Sequence, residues 1–228
     1  MRRTLVAALT ALVVLVGFAI LWTFPPAASA FGLFDRPSAS GSMTDQARAV
    51  GEFHKIDVRG STDVRVNVGG AQSVVVVAPA GIADLIETTA ADGTLTVSTK
   101  RSYWTPGHTV VRISVPTLDA IAIDGSADAT VEGIHGPAFD VTLRGSGDLT
   151  ASGAAGRLTY DCDGSGDARL RDLAVRDAVV RIRGSGDAHL AVSQTLDAEI
   201  FGSGDITYDG SARLVNEVIR GSGSVSRG

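Results

Sequence analysis

The sequence predicts an all-β protein whose main part is a parallel β-helix, or solenoid, with coils of about 18–20 residues. A Gly-Ser-Gly-Asp tetrapeptide recurs at that interval through the second half of the chain, which indicates a stacked array of repeats. Apolar and polar residues alternate on both sides of each tetrapeptide, as in strands with one buried face. The chain also has 27 glycines but only 5% aromatic residues, a composition suited to short strands joined by tight turns.

The N-terminus is typical of a signal peptide. Met1-Arg2-Arg3 supplies a positive region, residues 4–24 are uncharged, and Ala28-Ser29-Ala30 supplies small residues at a cleavage position. Residues 1–30 are therefore predicted to be removed, which places the mature start at Phe31. The uncharged stretch is also long enough to cross about 30 Å of hydrocarbon, so an uncleaved membrane anchor is the alternative.

The rest of the chain is predicted to be a linker followed by one folded domain. Residues 31–51 have the Pro, Ser and Gly content of a loosely ordered linker, and residues 52–228 contain the strand patterns. A hydrophobic content of 44% in 228 residues is enough for one core. The export signal places the protein in the periplasm, on the outer cell surface or outside the cell.

The charge of the chain excludes one class of partner. The formal net charge is −5, and Lys and Arg form no stripe or cluster. Nucleic acids and anionic membranes need clustered positive charge, so neither is an expected partner; the membrane enters only if the N-terminal segment stays uncleaved.

The first half of the domain is less regular than the second. Residues 64–68 and 74–77 are two Val-rich strands separated by Gly69-Gly70, which is the pattern of a β-hairpin. Residues 82–87 are compatible with a helical turn, and a further strand is predicted at residues 110–115.

The repeated tetrapeptide is the strongest internal signal. Its copies are Gly125-Ser126-Ala127-Asp128, Gly145-Ser146-Gly147-Asp148, Gly164-Ser165-Gly166-Asp167, Gly184-Ser185-Gly186-Asp187, Gly202-Ser203-Gly204-Asp205 and Gly221-Ser222-Gly223-Ser224. Glycine is favoured at such corners because positive φ angles are costly for residues with a side chain. Each coil is predicted to have two short strands and two corners.

Aligning the copies gives columns of similar residues. The position two before the first glycine is apolar and predicted to be buried: Ile123, Leu143, Cys162, Ile182, Ile200 and Ile219. The position directly before that glycine is predicted to be exposed, and its first four members alternate in charge: Asp124, Arg144, Asp163 and Arg183. Opposite charges on adjacent strands favour one register over its slips, so this column is interpreted as a register ladder.

These features together resemble the bacterial family called putative autotransporter adhesin head, GIN domain. The resemblance is carried by residues 53–68, Asp92-Gly93-Thr94-Leu95, Val115-Pro116 and the Gly-Ser-Gly-Asp ladder, and it covers the chain from about Glu52 to the C-terminus. It implies a right-handed β-helix located in the cell envelope or outside the cell. It supplies no catalytic residues.

The sequence contains no constellation typical of an enzyme. The histidines, His54, His108, His135 and His189, lie in unrelated places with no Asp or Ser at a triad-like spacing. Cys162 is the only cysteine, which excludes an intramolecular disulfide and a cysteine-based metal site. No catalytic residue and no cofactor is therefore expected. A carbohydrate-active enzyme similar to polysaccharide lyases is the alternative, although the predicted corners are short and such sites are usually built from long loops.

A calcium site is a second alternative. The tetrapeptide resembles part of the Gly-Gly-x-Gly-x-Asp calcium repeat, but its interval is about twice the nine residues of that repeat. The candidate ligands would be Asp128, Asp148, Asp167, Asp187 and Asp205. The preferred interpretation is that Asp and Ser side chains bond to nearby backbone N–H groups and no metal is bound.

Two surfaces are candidates for binding. The loop at residues 101–108 contains Tyr103, Trp104 and His108, which could stack on a sugar ring or contact a protein; alternatively the loop covers one side of the solenoid. The expected function is thus a non-catalytic binding or adhesion scaffold, with a surface polysaccharide or an envelope protein as partner. The last coil also has no residues left to cover its edge, which predicts self-association through that end.

Overall fold

The computed structural model describes residues 42–105 and 108–228. These residues form an all-β parallel solenoid of about five turns, which confirms the predicted fold class. The predicted signal peptide and the first part of the predicted linker lie outside the described residues.

Fifteen strands are present in the described part of the chain. Their bounds are β1 Met43–Ala47, β2 Lys55–Gly60, β3 Asp63–Val68, β4 Ser73–Pro79, β5 Ile86–Ala91, β6 Thr94–Thr99, β7 Val110–Val115, β8 Ala120–Gly125, β9 Ala129–Gly145, β10 Leu149–Gly164, β11 Ala168–Gly184, β12 Ala188–Gly202, β13 Ile206–Asp209, β14 Arg213–Gly221 and β15 Val225–Arg227. A 3-10 turn at Ala83–Leu85 occupies the position of the predicted helical turn.

The long strands β9 to β12 each run from one Gly-Ser-Gly-Asp corner to the next and pair in parallel with the coil before and after. The residues that were aligned by the repeat are in register. Cys162, for example, pairs with Leu143 on one side and with Ile182 on the other. The column is buried from Ile123 to Ile200, whereas Ile219 in the last coil is 37% exposed. The predicted inward column is therefore confirmed up to the terminal coil.

Each coil has three short faces, not the two strands that the sequence analysis predicted. Inward and outward residues alternate along β10 and β11, and this alternation is interrupted twice in each strand. In β11 the interruptions fall at Arg171-Asp172 and Arg176-Asp177, where two successive side chains are not buried. In β11 no glycine marks the second interruption, whereas Gly156 lies at that position in β10 and was not recognised as a corner.

The predicted hairpin at Gly69-Gly70 is wrong. Strand β7 lies between β3 and β4, parallel to β3 and antiparallel to β4. The two Val-rich strands themselves were predicted correctly, and Val64, Val66, Val74 and Val76 are all buried. A tight turn cannot show from sequence alone that a later strand separates the two strands it joins.

The last part of the predicted linker is ordered. Strand β1 pairs antiparallel with β4, so residues 43–47 extend the sheet. Thr44 Oγ1 donates to Ala78 O at 3.0 Å, and Arg48 Nη2 donates to Ala83 O at 2.7 Å. These contacts hold the mostly polar segment at residues 43–48 on the sheet, because backbone pairing along an edge requires few apolar side chains.

Backbone hydrogen bonds join each Gly-Ser-Gly-Asp corner to the corner of the coil before it. The serine N–H of each corner donates to the first glycine carbonyl of the coil before it, as from Ser165 to Gly145 at 2.8 Å. A Cβ on Gly145, which has φ of 120°, would lie 2.2 Å from Gly125 O. A Cβ on Gly166 would lie 2.1 Å from Gly147 O. Gly166 is therefore required by the close approach of two coils. This reason differs from the positive φ angle that was expected to favour glycine at the corners.

The two ends of the described solenoid differ. At the N-terminal end the sheet is extended by β1 and β5, which are antiparallel to their neighbours. At the C-terminal end β14 pairs with β12 and β15 pairs with β13, and no further described strand covers them. Val215 on β14 is 50% exposed. Within the described residues, β14 and β15 therefore each have a neighbouring strand on one side only.

Candidate functional site

The aspartates of the corners form a ladder of hydrogen bonds along the solenoid. In each step, Oδ1 of one aspartate accepts the backbone N–H of the equivalent residue in the next coil. Six such steps run through Asp63, Asp128, Asp148, Asp167, Asp187, Asp205 and Ser224, with donor–acceptor distances of 2.7–3.0 Å. Each of these carboxylates thus has a hydrogen-bond donor from the neighbouring coil, which offsets the stacking of like charges in one column.

This geometry differs in one respect from the expected turn. The donors come from the neighbouring coil, whereas the sequence analysis expected donors within the same corner. A serine hydroxyl takes part in the last step, where Ser224 Oγ donates to Asp205 at 2.8 Å. Arg169 lies beside the column, with Nη1 3.0 Å from Asp148 and Nη2 3.8 Å from Asp167. Within residues 42–105 and 108–228, no three His, Cys, Asp or Glu side chains are grouped so that they could hold a metal ion.

The candidate binding loop places its aromatic residues in two environments. Tyr103 is half-buried and packs against the hydrophobic core, and its hydroxyl lies 3.2 Å from Thr62 Oγ1. Trp104 is 59% exposed, and His108 is also exposed. Tyr103 thus covers one side of the solenoid, whereas Trp104 faces solvent.

A polar recess lies beside Tyr103. It has a volume of about 380 Å³ and is lined by Tyr103, Ser102 and the first residues of two stacked corners, including Ser61 and Ser126. Hydroxyl groups that converge in a recess can donate to and accept from the hydroxyls of a sugar.

A groove on another face was not predicted from the sequence. Outward residues of β1, β3, β4, β7 and β9 enclose a volume of about 560 Å³. Arg65 and Arg112 face each other across the β3–β7 pair and both line this groove. Arg112 is ion-paired with Asp45, whereas Arg65 has no such partner among the described residues. No sequence pattern in these five strands identifies the groove, because the groove depends on pairing between strands that are far apart in sequence.

The register ladder that was predicted before each corner is in place. Asp124, Arg144, Asp163 and Arg183 are paired in that order across adjacent strands and are exposed. Arg183 Nη1 lies 3.4 Å from Asp163 Oδ1. In the next coils Phe201 continues the column, and the Arg220 guanidinium lies 5.4 Å from the centre of its ring. The ladder is thus a set of surface contacts between coils, each of which contributes little to stability.

The histidines remain apart in the structure. His54 Nε2 lies 3.9 Å from Asp119, and His135 Nδ1 lies 2.9 Å from Gly133 O. His189 Nδ1 is buried without a hydrogen-bond partner among the described atoms. These side chains do not converge with one another or with the aromatic loop.

Cys162 is fully buried, and its Sγ lies 3.6 Å from Gly166 O. Burial raises the pKa of the Cys162 thiol, although the nearby Tyr160 hydroxyl opposes part of that rise. Burial also raises the pKa of Tyr160 above its ordinary range. Both groups are therefore neutral near pH 7 and act as core residues.

None of the helical segments in the described ranges is both long and apolar enough to cross a membrane.

Solved structures of other bacterial proteins share this fold. A putative adhesin from Bacteroides fragilis superimposes with a TM-score of 0.68 at 22% sequence identity, over 84% of this chain and 99% of that chain. A putative adhesin from Parabacteroides distasonis gives a TM-score of 0.56 at 20% identity, over 85% of this chain and 100% of that chain. A putative lipid binding protein from the same species gives a TM-score of 0.52 at 20% identity, over 85% and 99%.

These identities are evidence for a common fold and carry no ligand to this chain. The comparison with curated proteins found no match. A family model, described as putative auto-transporter adhesin, head GIN domain, matches residues 52–212. That match spans more than half of the chain and agrees with the resemblance found in the repeat. The chain therefore belongs to the putative auto-transporter adhesin, head GIN domain family.

Proposed function

We propose that the protein is an exported, non-catalytic scaffold that binds a polysaccharide or a protein of the cell envelope. The observation that carries this proposal is the arrangement of the loop around Trp104. Tyr103 anchors the loop on the core, and the adjacent Trp104 is 59% exposed. A large aromatic side chain held in solvent by an anchored loop is a typical contact residue for a sugar ring or a partner protein.

The neighbouring recess supports a carbohydrate ligand in particular. Its hydroxyl-rich lining is attached to the first two Gly-Ser corners, so the ligand would contact rigid backbone. Preorganised polar groups bind with little loss of conformational entropy. An indole that stacks on one face of a sugar, with hydroxyls bonded beside it, would use both features.

Export is supported by the sequence of residues 1–30, which has the three regions of a signal peptide in order. The family description as the head of an auto-transporter adhesin agrees with a location in the envelope or outside the cell.

A glycan array probed with the whole protein tests the proposal. We expect binding to a restricted set of glycans, loss of that binding in Trp104→Ala, and retention in Trp104→Phe, which keeps an aromatic ring. Val215→Ala, which removes exposed apolar surface elsewhere, is the matched control and should bind as the wild type does. Equal binding by Trp104→Ala and the wild type would contradict the role of this loop.

A further inference from the structure

The groove around Arg65 and Arg112 holds two like charges side by side on paired strands. In the column before the corners, neighbouring coils carry opposite charges. Here two arginines are directly opposite each other on parallel strands. Like charges in such a position are destabilising. The register of β3 and β7 is therefore maintained at a cost that their buried valines offset.

The two guanidinium groups differ in their ion-pair partners. Arg112 forms an ion pair with Asp45 of β1, so one carboxylate is already bound in the groove. Arg65 is exposed and lies between Arg112 and the neutral Thr130, with no ion-pair or hydrogen-bond partner among the described residues. Its planar fork of N–H donors is free to bind a second carboxylate in a bidentate way.

The remaining lining restricts the ligand further. Glu132 and Asn67 pair across β3 and β9, and Ser114 is paired with Asn67 on the other side. The two arginines are balanced by two carboxylates, Asp45 and Glu132, so the groove has no formal excess charge. A phosphate monoester, with a charge of about −1.5 to −2 at pH 7, would be repelled by Glu132 more strongly than a single carboxylate. A ligand with one carboxylate and several hydroxyls would satisfy Arg65, Glu132 and Asn67 together.

The groove also offers an apolar surface. Val75 is paired with Arg112, and Ala47 is paired with Val75, so both lie in the column of Arg65. The C–H face of a pyranose ring can pack on such residues while its substituents reach the polar side. A volume of about 560 Å³ is large enough for one or more sugar rings.

We propose that this groove binds a carboxylate-bearing sugar of an acidic polysaccharide, with Arg65 as the carboxylate ligand. The proposal rests on the binding role proposed above but not on the Trp104 loop, which lies outside the groove lining.

Isothermal titration of the whole protein tests it, with trimers of galacturonic acid and of mannuronic acid as probes. The matched control ligands are the methyl esters of the same trimers, in which each carboxylate loses its charge and gains one methyl group. At least one acid trimer should bind, and its methyl ester should bind at least about tenfold more weakly, which corresponds to the loss of one charge-assisted contact.

Variants identify the residue responsible. Arg65→Gln should weaken binding of the acid trimer by about tenfold or more, and Arg65→Lys should weaken it by less, since the charge is kept and the fork is lost. Arg157→Gln makes the same change at another exposed arginine without an ion pair and should leave affinity unchanged. Thermal melts of all three variants check that each is folded.

The outcomes separate this groove from the Trp104 loop. If Arg65→Gln no longer binds the acid trimer while Trp104→Ala still does, binding in the groove is confirmed, whatever the glycan array shows for the loop. The proposal is contradicted if neither acid trimer binds more tightly than its ester. It is also contradicted if Arg65→Gln and Arg157→Gln lose the same amount of affinity for the acid trimer. Neither result would affect glycan binding that depends on Trp104.

Discussion

The backbone N–H of Asp167 lies 3.0 Å from Oδ1 of Asp148, the equivalent residue of the coil before it. Each corner aspartate is thus both a donor, through its backbone, and an acceptor, through its side chain. The repeated Asp is therefore a device that joins successive coils at the corner.

Replacement of one ladder residue should destabilise the fold. Asp187→Ala removes the acceptor of the Asp205 N–H, now 2.8 Å away, and we expect a loss of about 1–2 kcal/mol in the free energy of unfolding. Asp187→Asn keeps an oxygen acceptor and should cost less. Asp172→Ala, at an exposed aspartate outside the ladder, should change stability by about 0.5 kcal/mol or less. Urea denaturation measures the free energy of unfolding of all three variants. Equal losses in Asp187→Ala and Asp172→Ala would show that the aspartate hydrogen bonds between coils do not stabilise the fold.

The same ladder predicts independence from calcium. Because Oδ1 of each aspartate from Asp63 to Asp205 already accepts an N–H group, we expect the melting temperature to be unchanged by excess chelator or by added calcium. A rise of several degrees with calcium would show that the aspartates bind the ion, and would support the calcium alternative.

The repeat made the regular half of the fold predictable. A tetrapeptide recurring at nearly equal intervals placed Cys162 and Ile182 in the same buried column, and alternation around it assigned inside and outside. The glycine at the third position of most corners was also visible as a pattern. Its cause was not, because the approach of Gly166 to Gly147 is a distance between coils and not a property of either segment.

The irregular half was less predictable because its strands pair out of sequence order. Val-rich runs identified β3, β4 and β7 but could not show that β7 lies between the other two. The Arg65–Arg112 groove has the same origin, since neither arginine is unusual in its own strand. Trp104 was a candidate from composition alone, and the sequence could not show that Tyr103 beside it packs on the core.

A glycine substitution tests the close contact between coils. A Cβ at Gly166 would lie 2.1 Å from Gly147 O, whereas a Cβ at Gly136 would have its nearest neighbour, Ala138 O, at 3.8 Å. We expect Gly166→Ala to cost about 3 kcal/mol or more through backbone displacement. Gly136→Ala should be nearly neutral, within about 0.5 kcal/mol. Thermal or urea denaturation compares them, and a neutral Gly166→Ala would show that the coils are farther apart.

The open edge of the last coil predicts self-association. Strands β14 and β15 each have one described neighbour, and unpaired strand edges recruit other strands. Light scattering over a range of protein concentrations should show a rising average mass. Val215→Lys places a charge on the exposed β14 and should reduce the association. A strict monomer at high concentration, or no effect of the added lysine, would contradict this use of the edge.

The most direct test of a non-catalytic binding role is prolonged incubation of the whole protein with acidic and neutral bacterial polysaccharides, followed by size-exclusion chromatography. The account predicts that the protein co-elutes with at least one polysaccharide and that the length of that polymer is unchanged. Shortened polymer chains would support the lyase alternative and contradict the account, and failure to co-elute with any polysaccharide would contradict carbohydrate binding.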